Sequence, residues 1–402
     1  MKATDRATRH DRADGRRYPY PSSPRELLLH ATILAIALWG AVCADVVGRG
    51  TLGRFSNVPK GNDFLQFYAS GRLAGAGRFD ALVDDRQFRA AQEPFLGHET
   101  PVSYPAVYPP QIGLVFAPLS WLPYSAAYFV WSVLTMTFVA VALFEFDTDV
   151  SLLTNYRAAA LMTALAFAPL PYLVLAGQLS AVAMFALAVV HRGLRRGSSV
   201  LAGAGLGLLA FKPSLFLPAI AVCLLAGDMR VTLAAAVVAV AQTMCVIPVT
   251  GSAVVSKAMQ NILAAARHPD VLVMRPYLMV SWRTFWALLV PQQWVTPFYA
   301  LSAGGTLVIT ARAWRRCRDP LTRVGLLSLA VVLAAPHVFL YDLVIIAPAC
   351  VLACRTLLTR HDTTLYAATV CAFLCPLTIP GVAWVHLQWC TLVLFVWWVT
   401  LL

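Results

Sequence analysis

The chain has 402 residues, 59% of them hydrophobic and only 12% charged, with a mean hydropathy of +0.69. That composition excludes a water-soluble domain and reads as one large polytopic membrane domain. The net charge of +12 sits in short Arg clusters between apolar runs, a pattern that sets membrane topology rather than nucleic-acid binding.

Residues 1–26 come first in chain order. They are polar, carry Lys2, Arg6, Arg9, Arg12, Arg16, Arg17 and Arg25, include "YPYPSSP" at 18–24, and are expected to form a disordered basic tail in the cytoplasm. The apolar run 27–47 follows. "VCAD" at 42–45 mimics a signal cleavage site, but about 20 apolar residues are longer than a signal h-region, so the run is read as a retained anchor. With the amino terminus inside, residues 48–108 become a first outer loop.

Further apolar runs occupy 124–144, 158–175, 179–191, 199–211, 214–227, 231–249, 295–313, 321–336, 341–358, 364–379 and 382–402, with a second outer loop at 250–283. A bilayer crossing takes about 20 residues, fewer in a broken span. The pattern predicts a single all-α domain over 27–402, with about twelve transmembrane helices and amphipathic helices on the first outer loop.

Charge checks this arrangement. "HRGLRRG" at 191–197, "GDMR" at 227–230, "ARAWRRCRDPLTR" at 311–323 and "CRTLLTRHD" at 354–362 are all assigned to the cytoplasm. The run "QIGLVFAPLSW" at 111–121 must then enter and leave on the outer side or lie in the interface. The acidic loop 145–157 fits the scheme weakly. Nine cysteines, an odd number lying mostly in apolar runs, suggest no disulfide framework. Cys350 with Cys354 and Cys371 with Cys375 have i,i+4 spacing, but lack a His or carboxylate at ligand spacing and read as packing residues, so no metal is expected.

Four breaks between apolar runs carry unusual polar residues: "YPAVYPP" at 104–110, "AGQLS" at 176–180, "AFKPS" at 210–214 and "APHVFLYD" at 335–342. All face outward in this arrangement. Non-helical backbone at membrane depth is tolerated only where protein buries it or water reaches it, so the breaks predict a polar cavity beneath the first outer loop.

The candidate chemistry gathers there. Asp63 opens a helical pattern in which Phe64, Phe67, Tyr68, Gly71 and Ala74 share one side, and these aromatics are expected to face the bilayer surface. Asp63 with Gln66 three residues on reads as a capping box, and equally as a carboxylate that could take a proton from an acceptor hydroxyl. Lys212 is costly inside the bilayer; it either satisfies the last carbonyls of the preceding helix or binds an anionic headgroup. His337 caps or packs at its junction, or donates to a phosphate oxygen. Asp342 suits a helix cap better than a base, and Gln178 either satisfies freed backbone or holds sugar hydroxyls. Tyr68 and Tyr108 join these as candidate substrate contacts. Lys257, Arg267, Arg275 and Arg283 make the second outer loop basic on the side where positive charge is least expected, which fits lipid headgroups or an anionic substrate. Tyr277, Trp282 and Trp286 beside them could stack on sugars or anchor at the interface.

In order along the chain, "NDFLQFYASGRLAGAGRFD", "YPPQIGLVFAPLSWLP", "GQLSAVAMFALAVVHRGLRRG", "LAGAGLGLLAFKPSLFL" and "APHVFLYDLVIIAP" resemble glycosyltransferase family 87, of the GT-C superfamily. The resemblance spans about 62–348. It implies transfer of a sugar, mannose or another hexose, from a polyprenyl-phosphate donor to a glycan or glycolipid acceptor, usually with inversion. The reaction would lie at the extracytoplasmic face of the cell membrane. No cofactor and no nucleic acid would be involved, and the acid of the first outer loop, Asp63, would be the base. Lys212 and His337 would lie near the lipid phosphate. Two departures leave sugar and acceptor open: "MRPYLMVSWRTFW" at 274–286 stands where mannosyltransferase members carry an Asn-Gln-Ser-like element, and Ser180 follows "GQL" where Asn is common.

Two other readings use the same groups. A lipid-linked sugar flippase would need access from both faces, and the chain has no comparable polar breaks on the cytoplasmic side and no evident inverted repeat. An O-antigen ligase or polymerase-like transferase would rely on Arg275, Arg283 and His337 instead of Asp63.

Overall fold

The computed structural model describes residues 24–48, 50–96, 104–267 and 276–402. Most of the expected tail and Arg275 lie outside them, as does the side chain of Arg267. Among the described residues the fold is all helical, and extended pairing is limited to two isolated bridges, Leu52 with Pro59 and Met279 with Phe339. The main helices are α1 (Pro24–Val46), α2 (Phe64–Gly75), α3 (Asp85–Ala90), α4 (Gln111–Phe116), α5 (Tyr124–Asp147), α6 (Arg157–Ala166), α7 (Pro169–Ala176), α8 (Ser180–Arg195) and α9 (Ser199–Leu208). They continue with α10 (Pro213–Leu225), α11 (Met229–Met244), α12 (Ser252–Arg267), α13 (Trp282–Leu289), α14 (Gln292–Arg316), α15 (Pro320–Ala334), α16 (Ala347–Thr359), α17 (Thr363–Thr378) and α18 (Trp389–Leu401).

Among the described residues, five helices are long and apolar enough to cross a membrane: Arg25–Val46, Tyr124–Asp147, Met229–Thr250, Leu340–Thr359 and Thr363–Val385. A sixth arises if α6 and α7, bent by 55°, are counted as one broken span. Shorter apolar helices occupy Ser199–Phe211, Pro213–Leu225, Pro320–Ala334 and Trp389–Leu401. Proline sets several boundaries. Pro169, Pro213 and Pro320 each occupy the first turn of their helix, where the missing N–H costs nothing. The residue before Pro213, Lys212, is correspondingly held out of the helical region at φ −127° and ψ 85°.

Small residues let helices close on each other. The "LAGAGLGL" helix α9 packs on both sides: a Cβ at Gly203 or Gly207 would fall 2.5 Å from Val231 O or 2.7 Å from Ala235 O on α11, and one at Gly205 would fall 2.8 Å from Ala186 O on α8. Backbones meeting this closely form the packing typical of helices in lipid.

The charged loops meet at one end of the bundle. Glu145 in the last turn of α5 and Asp149 just after it pair with His191 and Arg195 at the end of α8, and Asp319, the cap of α15, pairs with Arg355 near the end of α16 at 2.6 Å. Trp314 Nε1 reaches Asp228 at 3.2 Å. The acidic loop that fitted the topology weakly therefore lies beside the "HRGLRR" cluster, with its carboxylates neutralising it.

At the opposite end, the segments expected to lie in the two outer loops come together. Val254 and Ala258 of α12 enter a small core with Leu73, Leu82, Phe88 and Ala106, and Asn261 Nδ2 donates to Val83 O at 2.9 Å and Ala106 O at 3.2 Å. The run 111–121 does not cross: α4 and a one-turn helix at Leu119–Trp121 lie against α2, where a Cβ at Gly71 would fall 2.5 Å from Phe116 O.

One expectation fails here. Phe64 and Phe67 are fully buried and Tyr68 is nearly so, packed among Phe95, Tyr108, Phe116, Tyr124 and Tyr128 rather than turned to the bilayer. Helix α2 has its polar Gln66 and Ser70 buried as well, so it is an embedded element and not an amphipathic helix floating on lipid.

Candidate active site

Asp63 ends a tight turn that places α2 against α7. Gly61 adopts φ +62°, and Gly177, which closes α7 at φ +68°, faces it so closely that a Cβ there would lie 2.6 Å from Phe64 Cβ. The Asp63 amide donates to Ala176 O at 3.0 Å. This joint brings "GND" of the first loop and "AGQ" of the second break together.

The expected capping box is absent. Asp63 stands at the helix start but in helical conformation, φ −78° and ψ −21°, and its side chain makes no cap hydrogen bond. A capping side chain reaches the first free amides from an extended backbone; with the turn already helical the carboxylate points elsewhere. Its Oδ1 accepts the Tyr104 hydroxyl at 2.8 Å and its Oδ2 accepts Gln178 Nε2 at 3.0 Å. Burial pushes its pKa above the usual carboxylate range, opposed by hydrogen bonds from Tyr104, Gln178 and Tyr341 and by the Lys212 charge.

Gln178 is the hub. Besides Asp63, its amide nitrogen lies 3.3 Å from the Tyr341 hydroxyl, its oxygen accepts its neighbour's N–H from Leu179 at 2.9 Å, and Tyr108 Oη sits 3.4 Å from the amide. Three of the four breaks meet through this one side chain.

Lys212 supplies the fourth. It neither satisfies the carbonyls of the preceding helix nor stands free for an anion: its Nζ pairs with Asp342 Oδ1, which also accepts the Ser180 hydroxyl, and it lies 5.4 Å from the centre of the Tyr341 ring. Asp342 Oδ2 takes the Phe339 N–H at 3.0 Å, closing the turn after the break as a cap would. The buried cation is thus matched by a buried anion that has donors on both of its oxygens.

His337 and Arg283 differ from these groups. Both are half-buried, and neither has a hydrogen bond or ion pair among the described residues. They are brought together by the pairing of Met279 with Phe339 and the bond from Val280 N to Val338 O at 2.8 Å, while Ser281 caps α13 just ahead of Arg283. Burial and the Lys212 charge, with Arg283 adding, hold His337 down to about 4 against the pull of Asp342. The imidazole is neutral at pH 7, offering one N–H donor.

Tyr68 is occupied elsewhere. Its hydroxyl donates to Leu122 O at 2.8 Å and its ring lies in the aromatic core, so it ties α2 to the turn before α5. Tyr104 is the residue that sequence reading missed: it lies inside the quoted "YPAVYPP" break, but only the fold shows that it touches Asp63. Among the described residues, no group of three or more His, Cys, Asp or Glu is placed to hold a metal.

A buried, hydrogen-bonded carboxylate can accept a proton, and His337 and Arg283, which have no hydrogen bond or ion pair among the described residues, can stabilise an anion. The model of glycosyltransferase family 87 matches residues 106–341, more than half the chain, taking in Tyr108, Gln178, Ser180, Lys212, Arg283, His337 and Tyr341 but starting after Asp63. No curated protein and no solved structure matches the chain. A matched region that runs from the first break to the last, on an all-helical fold with several membrane-length helices, identifies the protein as a glycosyltransferase of the membrane: the chain belongs to glycosyltransferase family 87.

Proposed function

We propose that the protein transfers a hexose, mannose first among the candidates, from a polyprenyl-phosphate donor to a glycan or glycolipid acceptor at the extracytoplasmic face of the cell membrane. The observation that carries this reading is the contrast within the site. Asp63 has neutral hydrogen-bond donors on both oxygens, whereas His337 and Arg283 have no hydrogen-bond or ion-pair partner among the described residues.

In the proposed reaction the acceptor hydroxyl attacks the anomeric carbon, the bond from that carbon to the phosphate oxygen breaks, and the anomeric configuration inverts. Asp63 takes the hydroxyl proton as the new bond forms. Arg283 and the neutral imidazole N–H of His337 receive the departing phosphate, whose added charge their preorganised donors stabilise. Gln178 and Tyr108, linked to Asp63 in one hydrogen-bond network, would offer an amide and a hydroxyl to sugar hydroxyls. Lys212 acts one step back, through its pair with Asp342. Lys257, exposed on α12, would add positive charge for the donor headgroup.

The charge pattern supports this sidedness. Arg192, Arg195, Arg196, Arg230, Arg315, Arg316 and Arg355 gather at the end opposite the site, and positive clusters stay in the cytoplasm. On this reading about twelve traverses, several made by short or paired helices, surround the site.

Turnover in detergent tests the proposal, because translocation has no meaning there. Purified protein should release polyprenyl phosphate from polyprenyl-phosphate mannose, or from another member of a panel of polyprenyl-phosphate hexoses, when membrane glycans are supplied. Asp63→Asn should abolish the release. Binding of every donor without release would favour a flippase, and release that survives Asp63→Asn but not Arg283→Ala would favour a ligase-like transferase.

A further inference from the structure

We propose that Tyr104, clamped by Gln92, is a positioning residue that aims the carboxylate of Asp63. The proposal rests on the reading of Asp63 as the base and adds the element that orients it.

Asp63 is held by donors on two different oxygens from two distant segments, Tyr104 on Oδ1 and Gln178 on Oδ2. One bond would leave the carboxylate free to turn about its χ2; two fix its plane. Gln178 shares its amide among Asp63, Tyr108 and Tyr341. Tyr104 donates its hydroxyl to Asp63 alone among the described residues. The two oxygens offer four acceptor sites, so Tyr104, Gln178 and the Tyr341 hydroxyl leave one for the acceptor hydroxyl.

Tyr104 lies in non-helical backbone and would be a loose anchor by itself. Gln92, fully buried, removes that freedom. Its Oε1 accepts the Tyr104 N–H at 2.8 Å, and its Nε2 donates to Tyr104 O at 2.9 Å and to Phe88 O at 3.2 Å. The amide grips both backbone groups of Tyr104 as a paired strand would, and ties them to α3. A buried glutamine spent on another residue's backbone is a fixture for that residue.

The hydroxyl also favours the ionised form of Asp63, which accepts its proton more strongly than the neutral acid does. Tyr104→Phe keeps the ring and deletes that donor. The test measures initial rates of transfer from polyprenyl-phosphate mannose against pH, with full-length protein in membranes, for wild type, Asp63→Asn, Tyr104→Phe, Gln92→Ala and the last two combined.

If Tyr104 positions the base, Asp63→Asn is inactive and Tyr104→Phe moves the acid limb of the profile up by about one pH unit. Its plateau rate falls about tenfold, and Gln92→Ala in the Tyr104→Phe background costs little more. A merely structural tyrosine would lower yield without moving the limb. If Asp63→Asn is inactive while Tyr104→Phe keeps the wild-type limb, the positioning role is wrong and the base stands. If Asp63→Asn remains active, the base reading fails and this proposal falls with it.

Discussion

Lys212 and Asp342, 130 residues apart in the chain, form a buried ion pair at the point where two helix breaks meet. The lysine that looks from sequence like a phosphate ligand is therefore the counter-ion of an internal carboxylate. Deleting either partner leaves an uncompensated buried charge. Lys212→Met and Asp342→Asn should each destabilise the protein by about 3–5 kcal/mol, and the double variant by much less than their sum. Thermal unfolding of the detergent-solubilised variants measures this, and additive losses would show that the pair is not coupled.

Asp63 is predicted to trade stability for activity. Because burial raises its pKa in the fold, the carboxyl favours the folded state most when protonated, at pH below its unfolded value of about 4. That contribution is lost as pH rises through the folded value, and above it the ionised Asp63 is a net cost. Asp63→Asn should melt no lower than wild type while losing at least about 100-fold in transfer rate. A large drop in melting temperature would mean that the carboxylate is structural.

Arg283 and His337 are predicted to act on the donor. Removing a hydrogen bond to a charged group costs roughly 1.5–3 kcal/mol, so Arg283→Ala and His337→Ala should each weaken donor use about 10- to 100-fold. His337→Gln, which retains an N–H, should recover part of the loss. With the imidazole held near pH 4, neither binding nor rate should show a histidine transition between about pH 5.5 and 8. Saturation kinetics with varied donor, across that range, check both statements.

The charged end should face the cytoplasm. A cysteine placed at exposed Arg78, in the first outer loop, should react with a membrane-impermeant maleimide in intact cells. One at exposed Arg196 should react only after permeabilisation, with the unsubstituted protein as blank. The reverse pattern would invert the topology.

The site's neighbourhood was legible because it is written in local exceptions: "YPP", "GQ", "KP" and "PH" interrupt runs that are otherwise hydrocarbon, and the fold brings them together. Pairings inside it were not. Tyr104 meets Asp63 across 41 residues and Lys212 meets Asp342 across 130, and nothing in the local pattern of either residue records its partner. The capping box failed for a related reason. Asp-x-x-Gln is the same string whether the first residue is extended or helical, and here contact with α7 makes it helical. The aromatic face of α2 misled because periodicity shows that a face is buried but not whether lipid or protein covers it. Breaks at Pro169 and Pro213 divide apolar runs into pieces shorter than a crossing, which is why traverses cannot be read one per run.

The most direct measurement is a cryo-electron microscopy structure with a non-transferable polyprenyl-phosphate sugar analogue bound. The phosphate should lie within about 3 Å of Arg283 and His337, the Lys212–Asp342 pair should stay intact, and the anomeric carbon should face Asp63 with Tyr104 still on Oδ1. A phosphate bound by Lys212 with Asp342 displaced, or a sugar whose anomeric carbon faces away from Asp63, would contradict the proposed mechanism.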